Sequence, residues 1–137
     1  AVQAYKSDHS NYLTAIKKIL FLIGNYVYEN LKSNVINVSN PEGGFYLFPE
    51  FTNNKFSSSS EMCKDILKET GVALLPGSDF GLDSKKMFAR LSYTDFNGVN
   101  FLKNTSGSKK LDNADLEKNA PNIVAGVEAL KEWSKSL

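Results

Sequence analysis

The chain has 137 residues, of which 42% are hydrophobic and 23% charged, the profile of one soluble globular domain with a sizeable core. Its 16 Lys and Arg oppose 15 Asp and Glu for a formal net charge of +1; no overall field draws it to nucleic acid or an anionic membrane, and neither is expected as a partner. The one cysteine, Cys63, excludes an internal disulfide and fits a reducing, cytoplasmic setting.

Asp8 to Ser33 reads as a long helix, because Leu13, Ile16, Leu20, Ile23, Val27 and Leu31 recur at spacings of three and four. Its most apolar run, Ile19 to Ile23, is far too short to cross a bilayer, and no stretch reads as a signal peptide. Val35 to Val38 reads as a short strand, and Asn40 to Gly44 as a dense turn. Phe45 to Phe48 follows as a strand apolar on both sides, expected to be covered on both and stopped or placed at an edge by Pro49. Thr52 to Ser60 is a loop into a helix, with Ser58 and Glu61 spaced as a capping box. Met62, Cys63, Ile66 and Leu67 form that helix's apolar face, and Gly71 is placed to end it left-handed.

Val72 to Leu75 reads as a strand ending at Pro76, and Gly77 to Gly81 as a flexible loop leading toward a strand around Arg90. Asn104 to Asn119 is a polar surface excursion with one helical turn near Ala114 to Lys118. Asn119 is placed to cap a last helix, with Pro121 in its first turn and Ile123, Val127, Leu130 and Trp133 on its buried face. The succession predicts an α/β (α+β) two-layer sandwich: a small mixed sheet with helices packed on it and a long N-terminal helix.

Arg90 is the one arginine among the basic residues; all the others are lysines. It lies in Met87-Phe88-Ala89-Arg90-Leu91-Ser92-Tyr93, which reads as a buried strand. Lysine is a hydrated point charge, whereas a guanidinium is a planar fork that holds a carboxylate or phosphate through two parallel hydrogen bonds. Two readings follow, an anion-recognition residue and a strand arginine paired with a local acid. Alternation places Phe88, Arg90 and Ser92 on one side of the strand and Ala89, Leu91 and Tyr93 on the other. A buried guanidinium without an anion costs several kcal/mol, so a ligand carboxylate is the natural partner if no internal one is present.

Other residues carry less. The glycines of Gly77 to Gly81 match no phosphate-loop spacing. His9 reads as a solvated residue at a helix start, Cys63 as a small core residue, and Trp133 with the aromatics of Phe45 to Phe48 as core. One histidine and one cysteine far apart make neither a metal site nor a Cys/His nucleophile pair, so no metal-binding residue is expected.

Three segments in order, Pro41-Glu42-Gly43-Gly44-Phe45-Tyr46-Leu47-Phe48-Pro49, Gly71-Val72-Ala73-Leu74-Leu75-Pro76-Gly77-Ser78-Asp79-Phe80-Gly81 and Ala89-Arg90-Leu91-Ser92-Tyr93, resemble the C-terminal small domain of class I/II aminotransferases of fold type I, the pyridoxal-phosphate family. Ala1 to Tyr5 looks like the segment leading into that family's domain-connecting helix, so the resemblance covers nearly all of residues 1–137. It implies that Arg90 holds the α-carboxylate of an amino-acid substrate, with Phe45, Tyr46 and the Gly77 to Gly81 loop as walls of the cleft.

It further implies an amino acid and a 2-oxo acid as substrates, exchanged by a ping-pong route, and a homodimeric full-length enzyme. Pyridoxal 5'-phosphate would serve that enzyme, with none bound to this chain and no catalytic or cofactor-binding residue in it. The Schiff-base lysine, the phosphate cup and the aspartate facing the pyridinium nitrogen would lie upstream, in a large domain. Ser106-Gly107-Ser108-Lys109 resembles the pattern around that lysine, but it follows Arg90 instead of preceding it and has no apolar flanks. The start at Ala1 without methionine reads as a processed or partial chain. A lyase or cyclase of the same fold, such as an aminocyclopropane-carboxylate synthase relative, and a stand-alone interaction domain are the alternatives.

Overall fold

Helix α1 (Val2–Lys6) leads into α2 (Ser10–Leu31), in a computed structural model that describes residues 2–52, 55–105 and 111–137. The three-and-four stripe of α2 does what its spacing requires: Ile19, Ile23, Val27 and Leu31 are buried, each such side chain contributing about 1.5–3 kcal/mol. Tyr12 and Leu13 near its start are exposed. Gly24 lies within α2 because a Cβ there would meet the Tyr93 hydroxyl at 3.1 Å and Pro41 Cγ at 3.2 Å.

Strand β1 (Ile36–Asn37) pairs antiparallel with β3 (Glu50–Phe51), setting Ile36 opposite Phe51. A second sheet has β5 (Ala89–Ser92) at its centre, with β2 (Tyr46–Leu47) on one side and β4 (Leu75–Pro76) on the other. A bridge from Glu50 to Phe88 links the two sheets. The described pairings are all antiparallel, where a mixed sheet was expected. β4 and β5 are joined without an intervening α-helix, and such a return favours an antiparallel pair.

Helix α3 (Ser59–Thr70) begins where Ser58 accepts a hydrogen bond from the Glu61 N–H at 3.2 Å, and it ends at Gly71 with φ 74°. The capping box is not closed as expected: the Glu61 carboxylate accepts from the Ser57 N–H and hydroxyl, at 2.9 and 2.6 Å. Leu67, expected on the buried side, is exposed, while Met62, Cys63 and Ile66 are buried. The strand expected over Val72–Leu75 is confined to Leu75–Pro76.

Helix α4 (Gly98–Thr105) was not anticipated; α5 (Asn113–Asn119) replaces the single expected turn, capped by reciprocal bonds between Asp112 and Asp115. Asn119 does not cap α6 (Pro121–Ser134): its side chain donates back to the Asp115 carbonyl at 2.6 Å, and Ala120 takes the cap position. Ser106 to Lys109 lies outside the described residues.

Helix α6 packs on α2 and α3, and α3 packs on β4. Their buried residues meet Leu47, Ala89, Leu91 and Tyr93 from one side of the sheet in a single core. The two-layer α/β arrangement is therefore present, with its helices on one side of the three-stranded sheet.

Candidate functional site

The other side of that sheet carries Arg90. Leu75 stands opposite Arg90 on β4, and Tyr46 stands opposite Ser92 on β2. Alternation along β5 buries Ala89 and Leu91, leaves Arg90 half-buried and exposes Ser92. The expectation of a buried strand thus holds for one side only. Phe45, Tyr46 and Phe48 are exposed as well, so the β2 segment is not covered on both sides. A single sheet layer with helices on one side leaves alternate residues of every strand outward.

Two rings adjoin the guanidinium. Its central carbon lies 4.5 Å from the Tyr46 ring centroid and 4.7 Å from that of Phe80. Tyr46 comes from β2 and Phe80 from the turn after β4, so they approach from the two strands that border β5. Among the described residues, no hydrogen bond or ion pair engages Arg90; the bridges present are Lys68–Glu69, Lys131–Glu128 and Lys135–Glu132, all at the surface. The local acid with which a merely structural strand arginine would pair is not found among them.

Local folding delivers these side chains. Tyr93 is buried; its hydroxyl donates to the Gly44 carbonyl at 3.1 Å and its N–H to the Phe45 carbonyl at 3.2 Å, tying the Gly43–Gly44 turn to the end of β5. Burial holds the Tyr93 phenol above its ordinary pKa, so it stays a donor. On the other side, Gly77 to Phe80 is not an open loop but a 3-10 turn ended by Gly81 at φ 84°. The Gly77 N–H donates to the Phe88 carbonyl at 2.7 Å. A Cβ at Gly77 would fall 2.9 Å from Phe88 Cβ, so glycine is what lets the turn lie against the strand.

The ring contacts continue outward. Phe48 stands edge-on to Phe80 at 5.8 Å and stacks on Phe88 at 5.6 Å, while Phe45 tilts against Tyr46 at 4.4 Å. Of the expected cleft walls, Tyr46 and the Gly77 to Gly81 turn, through Phe80, touch the arginine; Phe45 is linked to it through Tyr46. Ser92 shares the outward side and its hydroxyl lies 3.0 Å from that of Thr94. Leu75 was not anticipated there, because its place follows from strand register, which no local pattern encodes.

The remaining candidates are placed as follows. Cys63 is buried and its thiol is pushed up to about 11 by desolvation, with Asp79 adding to it, so it is a core residue and not a nucleophile. Trp133 packs on Phe51 and Phe56 and donates to Asp65 at 2.9 Å. His9 is exposed at the start of α2. Among the described residues, no group of three or more His, Cys, Asp or Glu is arranged to hold a metal ion, and no helix is long and apolar enough to cross a membrane.

Residues 1–99 match the family described as aminotransferase class I and II. An aspartate aminotransferase of Sulfolobus acidocaldarius is 37% identical over 71 residues, 49% of this chain and 18% of that protein. One from Thermotoga maritima is 34% identical over 93 residues, 68% of this chain and 22% of its own length. The solved structure of an alanine aminotransferase from Pyrococcus furiosus shares the fold, with a TM-score of 0.67 at 20% identity over 92% of this chain and 26% of that one. The chain spans about a fifth of the length of these curated relatives.

Proposed function

The chain belongs to the class I and II aminotransferases, and from that premise we propose that it is the C-terminal small domain of an enzyme exchanging an amino group between an amino acid and a 2-oxo acid, in which Arg90 holds the substrate α-carboxylate. The observation that carries this reading is the half-buried guanidinium between Tyr46 and Phe80, with no acid paired to it among the described residues.

A guanidinium so placed offers two parallel N–H groups to one carboxylate. Holding the carboxylate fixes the rotation of the amino acid and hence the direction of its Cα–H bond, a positioning effect that contributes several kcal/mol in favourable cases. The rings on either side exclude water from the flanks of the ion pair and strengthen it.

Pyridoxal phosphate, when bound in the whole enzyme, supplies the electron sink for chemistry at Cα. The lysines described in this chain do not fit as its amine anchor. They are exposed, except for half-buried Lys131, which donates to Glu128 at 2.9 Å. None of them is buried as an anchoring amine requires. We assign the groups that hold the cofactor to a large domain outside residues 1–137, and the working enzyme to a cytoplasmic homodimer.

The isolated chain is accordingly inactive in transamination. In the whole enzyme, Arg90→Ala raises KM for the amino acid and lowers kcat, because the lost contact serves both binding and orientation. Steady-state kinetics unchanged by that substitution would sink the assignment.

A further inference from the structure

We propose that Tyr46 and Phe80 are positioning residues for Arg90, holding the guanidinium in the orientation in which it receives a carboxylate; this rests on the carboxylate reading above. An arginine on an open sheet face has several rotors, and freezing them when a ligand arrives weakens binding. A ring on each side restricts those rotors beforehand. The attraction of a cation to a ring face needs no acceptor atom, so the N–H fork stays available. A neighbouring carboxylate would also fix the side chain, but it would occupy the fork. Rings do the holding without competing for the ligand.

The surroundings suit that role. Each of the two rings is braced in turn, Tyr46 by Phe45 and Phe80 by Phe48, which itself stacks on Phe88. Gly77 permits the close turn that brings Phe80 over the strand. Neither ring is part of the core: Tyr46 is 43% and Phe80 44% exposed. Their removal therefore leaves no internal cavity, and their contact with Arg90 is what distinguishes them from other surface apolar groups.

The test is an equilibrium titration of the whole enzyme with propionate, a carboxylate that lacks an amino group. Tyr46→Leu and Phe80→Leu keep apolar bulk but remove the ring face; Tyr46→Phe and Phe80→Tyr keep it. Each leucine variant is expected to weaken propionate binding about fivefold, while the ring-keeping variants bind as the parent does and thermal midpoints stay unchanged. Leucine variants that bind like the parent, while Arg90→Ala loses binding, would overturn the role of the rings and leave the carboxylate reading intact. Ring-keeping variants that weaken binding as much as leucine would overturn it too. Arg90→Ala binding propionate like the parent would remove the carboxylate reading and the inference together.

Discussion

The two sides of the three-stranded sheet are built from alternate residues of the same short strands, yet they have opposite characters. Inward, Leu47, Ala89, Leu91 and Tyr93 are at most 6% exposed and join helices α2, α3 and α6 in one core. Outward, Tyr46, Phe48, Leu75 and Phe80 are 37–44% exposed around a cation that lacks an acid among the described residues. A domain whose surface served only solubility would place polar groups outward. The inward side accounts for folding, and the outward side is where the proposed carboxylate contact lies.

The largest break in that contrast is expected from Leu91→Ala, which removes a buried side chain at the sheet centre and should cost about 2–5 kcal/mol in urea unfolding. Tyr46→Ala on the neighbouring strand should stay within about 1 kcal/mol, as for an exposed site away from the core. Equal losses at the two positions would erase the distinction between the sides. Gly77→Ala comes next: the new methyl meets Phe88 Cβ at 2.9 Å and its carbonyl at 3.1 Å, which should cost about 1–3 kcal/mol. It should also displace Phe80 from Arg90, visible as a changed ring environment in NMR spectra.

The smallest effect touches neither side and serves as a control. Hydrogen bonds from Ser57 hold the exposed Glu61 carboxyl below the usual carboxylate range. A depressed folded-state pKa adds stability that is fully present above the unfolded value and is lost as pH falls through the folded one. The thermal midpoint of the parent should therefore exceed that of Glu61→Gln at pH 6, with the gap narrowing as acid protonates the carboxylate; a gap independent of pH would contradict the cap geometry.

Local chemistry made the helices legible. The stripe of α2, the Ser58 cap, Gly71 and the buried residues of α6 each follow from spacing or from a single residue's conformational preference. Asn119 serves α5 and not α6: its side-chain amide donates to the Asp115 carbonyl, and the N-cap position of α6 falls one residue later, at Ala120. Helix α4 lay hidden in a segment whose apolar residues are few, with Phe101 as its buried anchor.

The site was half legible. Alternation put Arg90 on the side opposite Leu91, and the motifs around Gly43–Gly44 and Gly77–Gly81 named Tyr46 and the turn that holds Phe80. That β2 and β4 both border β5, and so bring two rings to one guanidinium, is a matter of long-range register. The apolar run Phe45 to Phe48 suggests cover on both sides, but hydrophobicity alone does not say whether the second cover lies within the same stretch of chain.

The central claim is that Arg90 acts on a substrate carboxylate. The most direct measurement is kcat/KM of the whole enzyme and of its Arg90→Ala variant, each with an amino-acid substrate and with the amine that lacks its carboxylate. Losing a charge-assisted bidentate contact of about 2–5 kcal/mol should lower kcat/KM for the amino acid by about 30-fold or more and leave that for the amine unchanged. An equal loss on both substrates would contradict the account, since it would place Arg90 in the support of the fold and not at the carboxylate.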